Sequence, residues 1–253
     1  MVLHRLFSRA RPAEPRPRFA PDGMRIYAIG DIHGRRDLLD RLLATIDEDD
    51  AARPARRTQL IFLGDLVDRG PDSRGVIERL MGLAAASRDV RFLKGNHEEL
   101  LIRTWRGDRR SAGLFNRVGG RETLASYGVY DAEYDSVDLE GLCAIVREVV
   151  PETHIEFLKG FEDWIEARDY LFVHAGIRPG ATIQEQEPSD LRWIRREFTE
   201  HDGELGHMVV HGHTITEDVD ERVNRIGIDT GAFATGKLTA IGIEGADRWY
   251  LST

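Results

Sequence analysis

The order of apolar and polar positions predicts that strands and helices alternate through the first half of the chain. Three short apolar runs, at 24–29, 59–63 and 90–93, are each followed by a glycine and are typical of buried strands. Apolar residues recur at helical spacing after the first two runs, and 98–105 is predicted to be helical after the third. Strand–loop–helix units in succession indicate a largely parallel sheet with helices on its faces.

The second half of the chain is richer in predicted strands. Residues 107–159 have a mostly helical but irregular pattern. Strands are predicted beyond it at 164–173 (a strand pair), 208–210, 226–228, 238–243 and 249–251. Because no linker separates the halves, we expect one α/β domain over 24–253. The Arg- and Pro-rich residues 1–23 are expected to form a flexible tail.

Composition disfavours several classes of protein. The chain has 253 residues, 41% of them hydrophobic, which is enough for one sizeable core. Its formal net charge of -9 disfavours a nucleic-acid partner, because such proteins usually present a basic face. Cys143 is the single cysteine, as is typical of proteins of the reducing cytoplasm. No apolar run is long enough to span a membrane, so we expect a cytoplasmic protein without a membrane partner.

Ionisable side chains follow the predicted strands at their carboxyl ends. Gly-Asp-Ile-His-Gly occupies 30–34, Gly-Asp-Leu-Val-Asp-Arg-Gly occupies 64–70, and Gly-Asn-His-Glu occupies 95–98. Val-His-Ala-Gly at 173–176 and Val-His-Gly-His-Thr at 210–214 follow two later strands. Each motif alone is typical of a turn or of a buried histidine. Since the carboxyl ends of parallel strands meet at one edge of a sheet, the five together predict a binding site there.

These loops contain ligands for divalent metals. The six candidate ligands are Asp31, His33, Asp65, Asn96, His174 and His213. A mixed set of carboxylate, imidazole and amide groups suits Mn, Fe or Zn better than Ca. The set is too large for one tetrahedral ion, but two ions that share a carboxylate would use it. Such a pair polarises phosphoryl oxygens and lowers the pKa of a bound water, which is the chemistry of phosphate ester hydrolysis.

Together, the motifs resemble those of the calcineurin-like metallophosphoesterases, and specifically the phosphoprotein phosphatase branch with its small bacterial and phage members. The resemblance covers 24 to about 245 and includes the sequence Gly-Gly-Arg-Glu-Thr-Leu-Ala-Ser-Tyr-Gly at 119–128. It implies a four-layer α/β/β/α sandwich with two central sheets. Many relatives end in Gly-His-x-His, whereas Thr214 and Ile215 follow His213 here. The phosphoprotein phosphatases share that departure.

The resemblance also implies which residue binds which metal. The first ion would take Asp31, His33 and Asp65, and the second would take the shared Asp65 with Asn96, His174 and His213. His211 is an alternative to His213, because alternation along a strand would place both on one side.

Other residues would act on the substrate. By resemblance, a hydroxide between the metals attacks phosphorus in line, His97 protonates the leaving oxygen, and Asp68 orients His97. Arg69 and Asn96 would bind phosphate oxygens, and Arg195 is the candidate for a second arginine. The sequence Asp-Thr-Gly at 229–231 is expected to be a turn, since an aspartic protease would need a second such carboxylate.

The predicted reaction is hydrolysis of phosphoserine or phosphothreonine in a phosphoprotein or phosphopeptide, with phosphotyrosine and small phosphate esters as further substrates. The alternative is a nucleoside polyphosphate hydrolase similar to the symmetric diadenosine tetraphosphatases. Those enzymes resemble this chain but carry Ala, Asp and Trp where it has Asp68, Glu98 and Thr214, so these residues favour the protein phosphatase. A third hypothesis, an inactive relative that binds phosphoproteins, is disfavoured because the ligands and His97 are present.

Overall fold

The computed structural model describes residues 17–86 and 89–253, which form two five-stranded sheets with helices around them. The strands are β1 (Met24–Ile29), β2 (Arg57–Phe62), β3 (Asp89–Phe92), β4 (Trp164–Ala167), β5 (Tyr170–Val173), β6 (Met208–His211), β7 (Asp220–Glu221), β8 (Arg225–Gly227), β9 (Thr239–Glu244) and β10 (Asp247–Ser252). The helices are α1 (Arg36–Ala51), α2 (Ser73–Ala85), α3 (Asn96–Trp105), α4 (Arg109–Arg117), α5 (Gly120–Ser126), α6 (Asp131–Asp135), α7 (Leu139–Val149), α8 (Glu152–Lys159), α9 (Pro188–Trp193), α10 (Arg196–Thr199) and α11 (Ala232–Thr235), with a 3-10 turn at Ile183–Glu185.

The first sheet has the strand order β10-β9-β1-β2-β3. Its β1, β2 and β3 are parallel, as the strand–loop–helix units predict, whereas β9 pairs antiparallel with β1 and β10 with β9. The second sheet has the order β4-β5-β6-β8-β7, in which β5, β6 and β8 are parallel and the outer strands antiparallel.

The two sheets pack face to face, and side-chain alternation assigns residues to the layers. In β1, Ile26 and Ala28 lie in the core between the sheets, whereas Tyr27 and Ile29 lie in the core beneath the helices. In β5, Phe172 faces the first sheet, and Val173 packs in a third cluster that includes residues of α9 and α10. The predicted four-layer α/β/β/α sandwich is therefore confirmed.

The helical region predicted at 107–159 consists of α4 to α8. These helices contribute to the same core as α1, α2 and α3, and their buried residues include Phe115, Leu124 and Val146. The region therefore extends the helical layer over the first sheet. Within the described ranges, no helix is long and apolar enough to cross a membrane.

The end of the predicted tail contacts the domain. Residues 1–16 lie outside the described part of the chain. Ala20 is fully buried and donates its N–H to the Gly245 oxygen at 2.8 Å. The N–H of Phe19 donates to a carboxylate oxygen of Asp169 at 2.8 Å. Residues 19 and 20 are thus hydrogen-bonded to the domain, and the flexible tail stays a prediction for 1–16.

Candidate active site

The strand-ending loops of both sheets meet at one place. The N–H groups of Ile32 and His33 donate to the Asp65 carbonyl at 3.1 and 2.9 Å, which ties the β1 loop to the β2 loop. From the second sheet, the Gly212 N–H donates to the His174 carbonyl at 2.8 Å, and the His213 N–H donates to the Asp31 carboxylate at 3.0 Å. From the start of α3, the His97 N–H donates to the Asp65 carboxylate at 3.1 Å. The structure therefore brings the loops of all five motifs together.

Asp65 lies between two groups of possible ligands. One group contains His33, Asp65 and His97, and the other contains Asp65, His174 and His213. Within each group the ligand atoms lie within 4.8 Å of one another. The Asp65 Oδ2 atom is 3.6 Å from His33 Nε2, whereas Oδ1 is 3.4 Å from His174 Nε2. Each carboxylate oxygen faces a different group, which is the geometry of a carboxylate shared by two ions.

The imidazoles are arranged to donate lone pairs. The Nδ1 atoms of His33 and His174 lie 2.8 Å from the carbonyls of Val67 and Leu63, so each neutral ring directs Nε2 toward Asp65. Burial lowers the pKa of His33 to about 3 and that of His213 to about 2, which keeps both rings neutral.

Two further atoms of the cluster fit a cation. His213 Nε2 is buried and has no hydrogen-bond partner among the described residues. His174 Nε2 lies 3.0 Å from Asn96 Oδ1, and a shared cation would stabilise this pair of acceptors. Both observations fit divalent ions of the type that the sequence predicts.

Left-handed backbone is concentrated at this site. The non-glycine residues with positive φ in the described ranges are Arg168 (59°) and, at the site, His33 (46°), Asp65 (49°), Asp68 (72°), Arg69 (68°) and His213 (64°). Such conformations are uncommon outside glycine and persist only where the surrounding structure enforces them. The loops therefore place functional side chains at a cost in backbone strain.

Glu98 holds the Asp65 loop in this conformation, a role that the sequence analysis missed. Its carboxylate accepts the N–H groups of Asp65, Leu66 and Gly95 at 2.9, 2.8 and 2.9 Å. Burial, and then the charge of Asp65, raise the pKa of Glu98 to about 7. Glu98 lies in the first turn of α3, so its hydrogen bonds tie the Asp65 loop to the start of this helix.

His97 and Asp68 form the predicted pair. His97 Nδ1 lies 2.6 Å from Asp68 Oδ2, and the Thr123 hydroxyl donates to Asp68 Oδ1 at 2.6 Å. Burial alone would lower the pKa of His97, but the carboxylates of Asp65 and Asp68 outweigh it and raise that pKa. Asp68 therefore orients the imidazole, and the raised pKa favours the protonated form that a general acid requires.

Arg69 lies over the first group of ligands. Its Nη1 and Nη2 atoms are 3.0 Å from His33 Nε2 and 3.2 Å from His97 Nε2. Its N–H donates to the Gly119 carbonyl at 3.1 Å. A Cβ at position 119 would lie 2.5 Å from the Arg69 nitrogen, and Gly119 has φ of 111°, so glycine is required there. The guanidinium therefore lies against the imidazoles of His33 and His97, and phosphate binding by Arg69 stays a prediction.

The structure separates His211 from His213. The ring of His213 lies 5.1 Å from that of His174, whereas the ring of His211 lies 5.0 Å from that of Phe198. β6 ends at His211, and the left-handed backbone of His213 ends the alternation on which the sequence argument relied. His213 is therefore the residue in the ligand cluster. Arg195 is exposed. Burial and then the charge of His174 lower the pKa of His213, and the charge of Arg195 adds to that effect. Burial raises the pKa of Asp229 to about 6, and the charge of Arg195 opposes that rise.

Asp229 is a buried acid beside the site that the sequence analysis treated as part of a turn. It follows β8 and is 2% exposed, and its carboxylate accepts the Gly231 N–H at 3.0 Å. Burial, and then the charge of Asp229, raise the pKa of Asp31 well above its usual range. The turn is present, with Gly231 at φ of 69°. The rule applied to the other motifs, an ionisable group after a strand, would have identified Asp229.

Comparisons with known proteins identify relatives. A family model for calcineurin-like phosphoesterases matches residues 24–228. A symmetrical bis(5'-nucleosyl)-tetraphosphatase of Delftia acidovorans is 34% identical over 162 residues, which are 64% of this chain and 48% of that protein. The chain thus spans about half the length of this symmetrical relative. The asymmetrical bis(5'-nucleosyl)-tetraphosphatase PrpE of Anoxybacillus flavithermus is 28% identical and covers 84% of this chain and 88% of its own.

A solved structure shares the fold. The crystal structure of a candidate diadenosine tetraphosphatase covers 92% of this chain and 98% of its own, with a TM-score of 0.62 and 21% identity. At this identity the likeness supports the fold alone.

Two expectations from the sequence are wrong, namely the protein phosphatase function and the phosphoprotein or phosphopeptide partner. The aligned relatives are named as nucleotide tetraphosphatases. The expectation relied on Asp68, Glu98 and Thr214. Asp68 orients His97 and Glu98 holds the Asp65 loop, so both have a role in the site whether the substrate is a phosphoprotein or a nucleotide. Thr214 donates its N–H to the Gly212 carbonyl, and its buried hydroxyl has no partner in the described ranges.

The family, in contrast, is confirmed. The family model matches most of the described domain, and the strand-ending motifs converge on a cluster that fits divalent metals. The chain belongs to the calcineurin-like phosphoesterase family.

Proposed function

We propose that this protein hydrolyses dinucleoside tetraphosphates by cleaving a phosphoanhydride bond of the tetraphosphate bridge. The observation that carries the proposal is the Asp65 carboxylate, which lies between the imidazoles of His33 and His97 on one side and those of His174 and His213 on the other. Arg69 lies next to the first pair. The names of relatives that are 34% and 28% identical support a nucleotide as the substrate. Both groups of relatives act on a bis(5'-nucleosyl) tetraphosphate.

The ligands would hold two divalent ions. The first would be bound by Asp31, His33 and Asp65, and the second by Asp65, Asn96, His174 and His213. Bound ions would polarise the phosphoryl oxygens and lower the pKa of a water molecule at the site. Mn is the ion that we would use for assays, and Fe or Zn fit the same ligands.

The protein's own groups would bind the bridge and protonate the departing oxygen. Arg69 would bind non-bridging oxygens of the attacked phosphate through parallel N–H groups. Asn96 would orient the same phosphate through its amide, and the exposed Arg195 would be a second arginine that binds it. His97 would pass the proton on Nε2 to the departing nucleotide, while Asp68 holds Nδ1.

The test is incubation of the purified protein with diadenosine tetraphosphate and manganese, followed by chromatography of the products. We expect chelator-sensitive hydrolysis. Two molecules of ADP would show symmetrical cleavage, and AMP with ATP would show asymmetrical cleavage. Intact substrate with a manganese-loaded enzyme that still hydrolyses an aryl phosphate would contradict the proposal.

A further inference from the structure

A cavity opens beside Arg69. Its volume is about 610 Å³, within the range of small-molecule sites. It lies between the start of α1, the loop that leads into α2, and α11. Its lining includes Arg35, Arg36, Asp37, Arg69, Asp72 and Phe233.

The lining carries excess positive charge in an acidic protein. Three arginines face two aspartates in the lining, whereas the whole chain has a formal charge of -9. The Asp72 carboxylate caps α2 by accepting the Gly75 N–H at 2.8 Å. Arg35 binds Asp37 through two nitrogens, at 2.8 and 2.7 Å. Arg36 is paired with Asp40, at 2.6 Å. Among the described residues, Arg69 is therefore the arginine of the lining that has no carboxylate partner, and its charge favours an anionic ligand.

Phe233 connects this cavity to the ligand cluster. Its ring meets the His33 ring edge to face, with centroids 5.4 Å apart, and Arg69 Cζ lies 4.8 Å from its centroid. The ring is half-buried and lines the cavity. Its position is fixed because Arg35 donates to the neighbouring Ala232 carbonyl at 3.0 Å. An aromatic ring at a cationic cavity is suited to stacking with a nucleobase.

We infer that this cavity binds one nucleotide half of the dinucleoside tetraphosphate, with the base against Phe233 and its phosphates near Arg69 and Arg36. The inference rests on the proposed function and extends it. The nucleotide half in this cavity would then be joined directly to the attacked phosphate, which Arg69 would bind. Selectivity for nucleotides over simple phosphate esters comes from this contact, because a simple ester leaves the cavity empty.

A second basic cavity is the competing position. It has a volume of about 340 Å³ and is lined by Lys94, Glu99, Ile102, Arg103, Arg106, Lys159 and Arg192. Its lining contains no aromatic ring. Arg103 and Arg192 form ion pairs with Glu99 at 2.8 and 3.4 Å, so much of its charge is balanced.

The test is the ratio of kcat/KM for diadenosine tetraphosphate to kcat/KM for p-nitrophenyl phosphate, measured with manganese. Phe233→Leu is expected to lower this ratio about tenfold, and Phe233→Tyr to keep it within about twofold. Tyr130→Leu, which removes an exposed ring elsewhere, is the matched control and should leave the ratio unchanged. If Phe233→Leu does not fold, Arg36→Ala tests the same cavity and should lower the ratio.

The outcomes separate the inference from the proposed function. An unchanged ratio in Phe233→Leu, with a wild type that hydrolyses the dinucleotide, overturns the inference and leaves the function in place. A ratio that falls in Arg106→Ala and not in Phe233→Leu also overturns it, since the nucleotide then occupies the second cavity. A wild type that hydrolyses only the aryl ester overturns the proposed function itself.

Discussion

At the scale of single residues, partners outside the motifs hold the reactive groups. Asp68 orients His97, and Thr123, from the 119–128 stretch, donates to Asp68 at 2.6 Å. The Asp68 N–H donates to the hydroxyls of Ser73 and Thr123 at 3.0 and 2.9 Å. The orientation of His97 therefore depends on a buried hydrogen-bond network that includes residues of α2 and α5.

His97→Asn is expected to have an effect that depends on the leaving group. A departing nucleotide phosphate has a pKa of about 6 and needs little protonation, whereas phenol has a pKa of about 10. We expect a loss in kcat of about a hundredfold for phenyl phosphate and about tenfold for diadenosine tetraphosphate. Steady-state kinetics on both substrates measure this, with metal content checked by elemental analysis. Equal losses would remove His97 from protonation of the leaving group.

At the scale of elements, the sequence predicts the strands and loops well, because apolar runs followed by glycine mark strand ends. It predicts that the candidate metal ligands converge around Asp65, since the carboxyl ends of parallel strands meet at one edge of a sheet. It does not predict the left-handed backbone at Asp65 or His213, which depends on hydrogen bonds from distant segments. For the same reason the choice between His211 and His213 needed the structure. The substrate could not be predicted, because the prediction relied on Asp68 and Glu98. These residues form hydrogen bonds that hold His97 and the Asp65 loop, and such contacts do not identify a substrate.

Glu98→Ala is expected to destabilise the protein by about 3 kcal/mol or more, because it leaves buried N–H groups of Asp65, Leu66 and Gly95 without their acceptor. Denaturant unfolding of the metal-free protein measures the change in the free energy of unfolding. Glu148→Ala, at an exposed position of α7, is the matched control and should change it by less than about 0.5 kcal/mol. Similar values for the two variants would show that Glu98 does not hold the loop.

At the scale of the whole molecule, two sheets contribute to one site. Ligands come from loops of both sheets, so a bound ion would bridge the two halves of the sandwich. The cavity next to Phe233 adjoins this junction, because Phe233 and Arg69 both line it and contact His33. Under the proposed function, metal binding, stability and substrate selection would be linked through the same junction.

Manganese is expected to raise the melting temperature of chelator-treated protein. An ion at one hundred times its Kd stabilises the folded state by about 2.7 kcal/mol, which is about 5–10 °C for a chain of this size. Asp65→Asn weakens the ligand shared by both groups, so its melting temperature should not respond. Scanning calorimetry with and without manganese measures both. A full response in Asp65→Asn would mean that the ions bind elsewhere.

The most direct test of the central claim is a comparison of kcat/KM for diadenosine tetraphosphate and for a phosphoserine peptide, with one preparation of manganese-loaded protein. The account predicts a much larger value for the dinucleotide, and loss of both activities on addition of a chelator. A larger value for the peptide would contradict the proposed substrate, although the two-ion site built around Asp65 would stand.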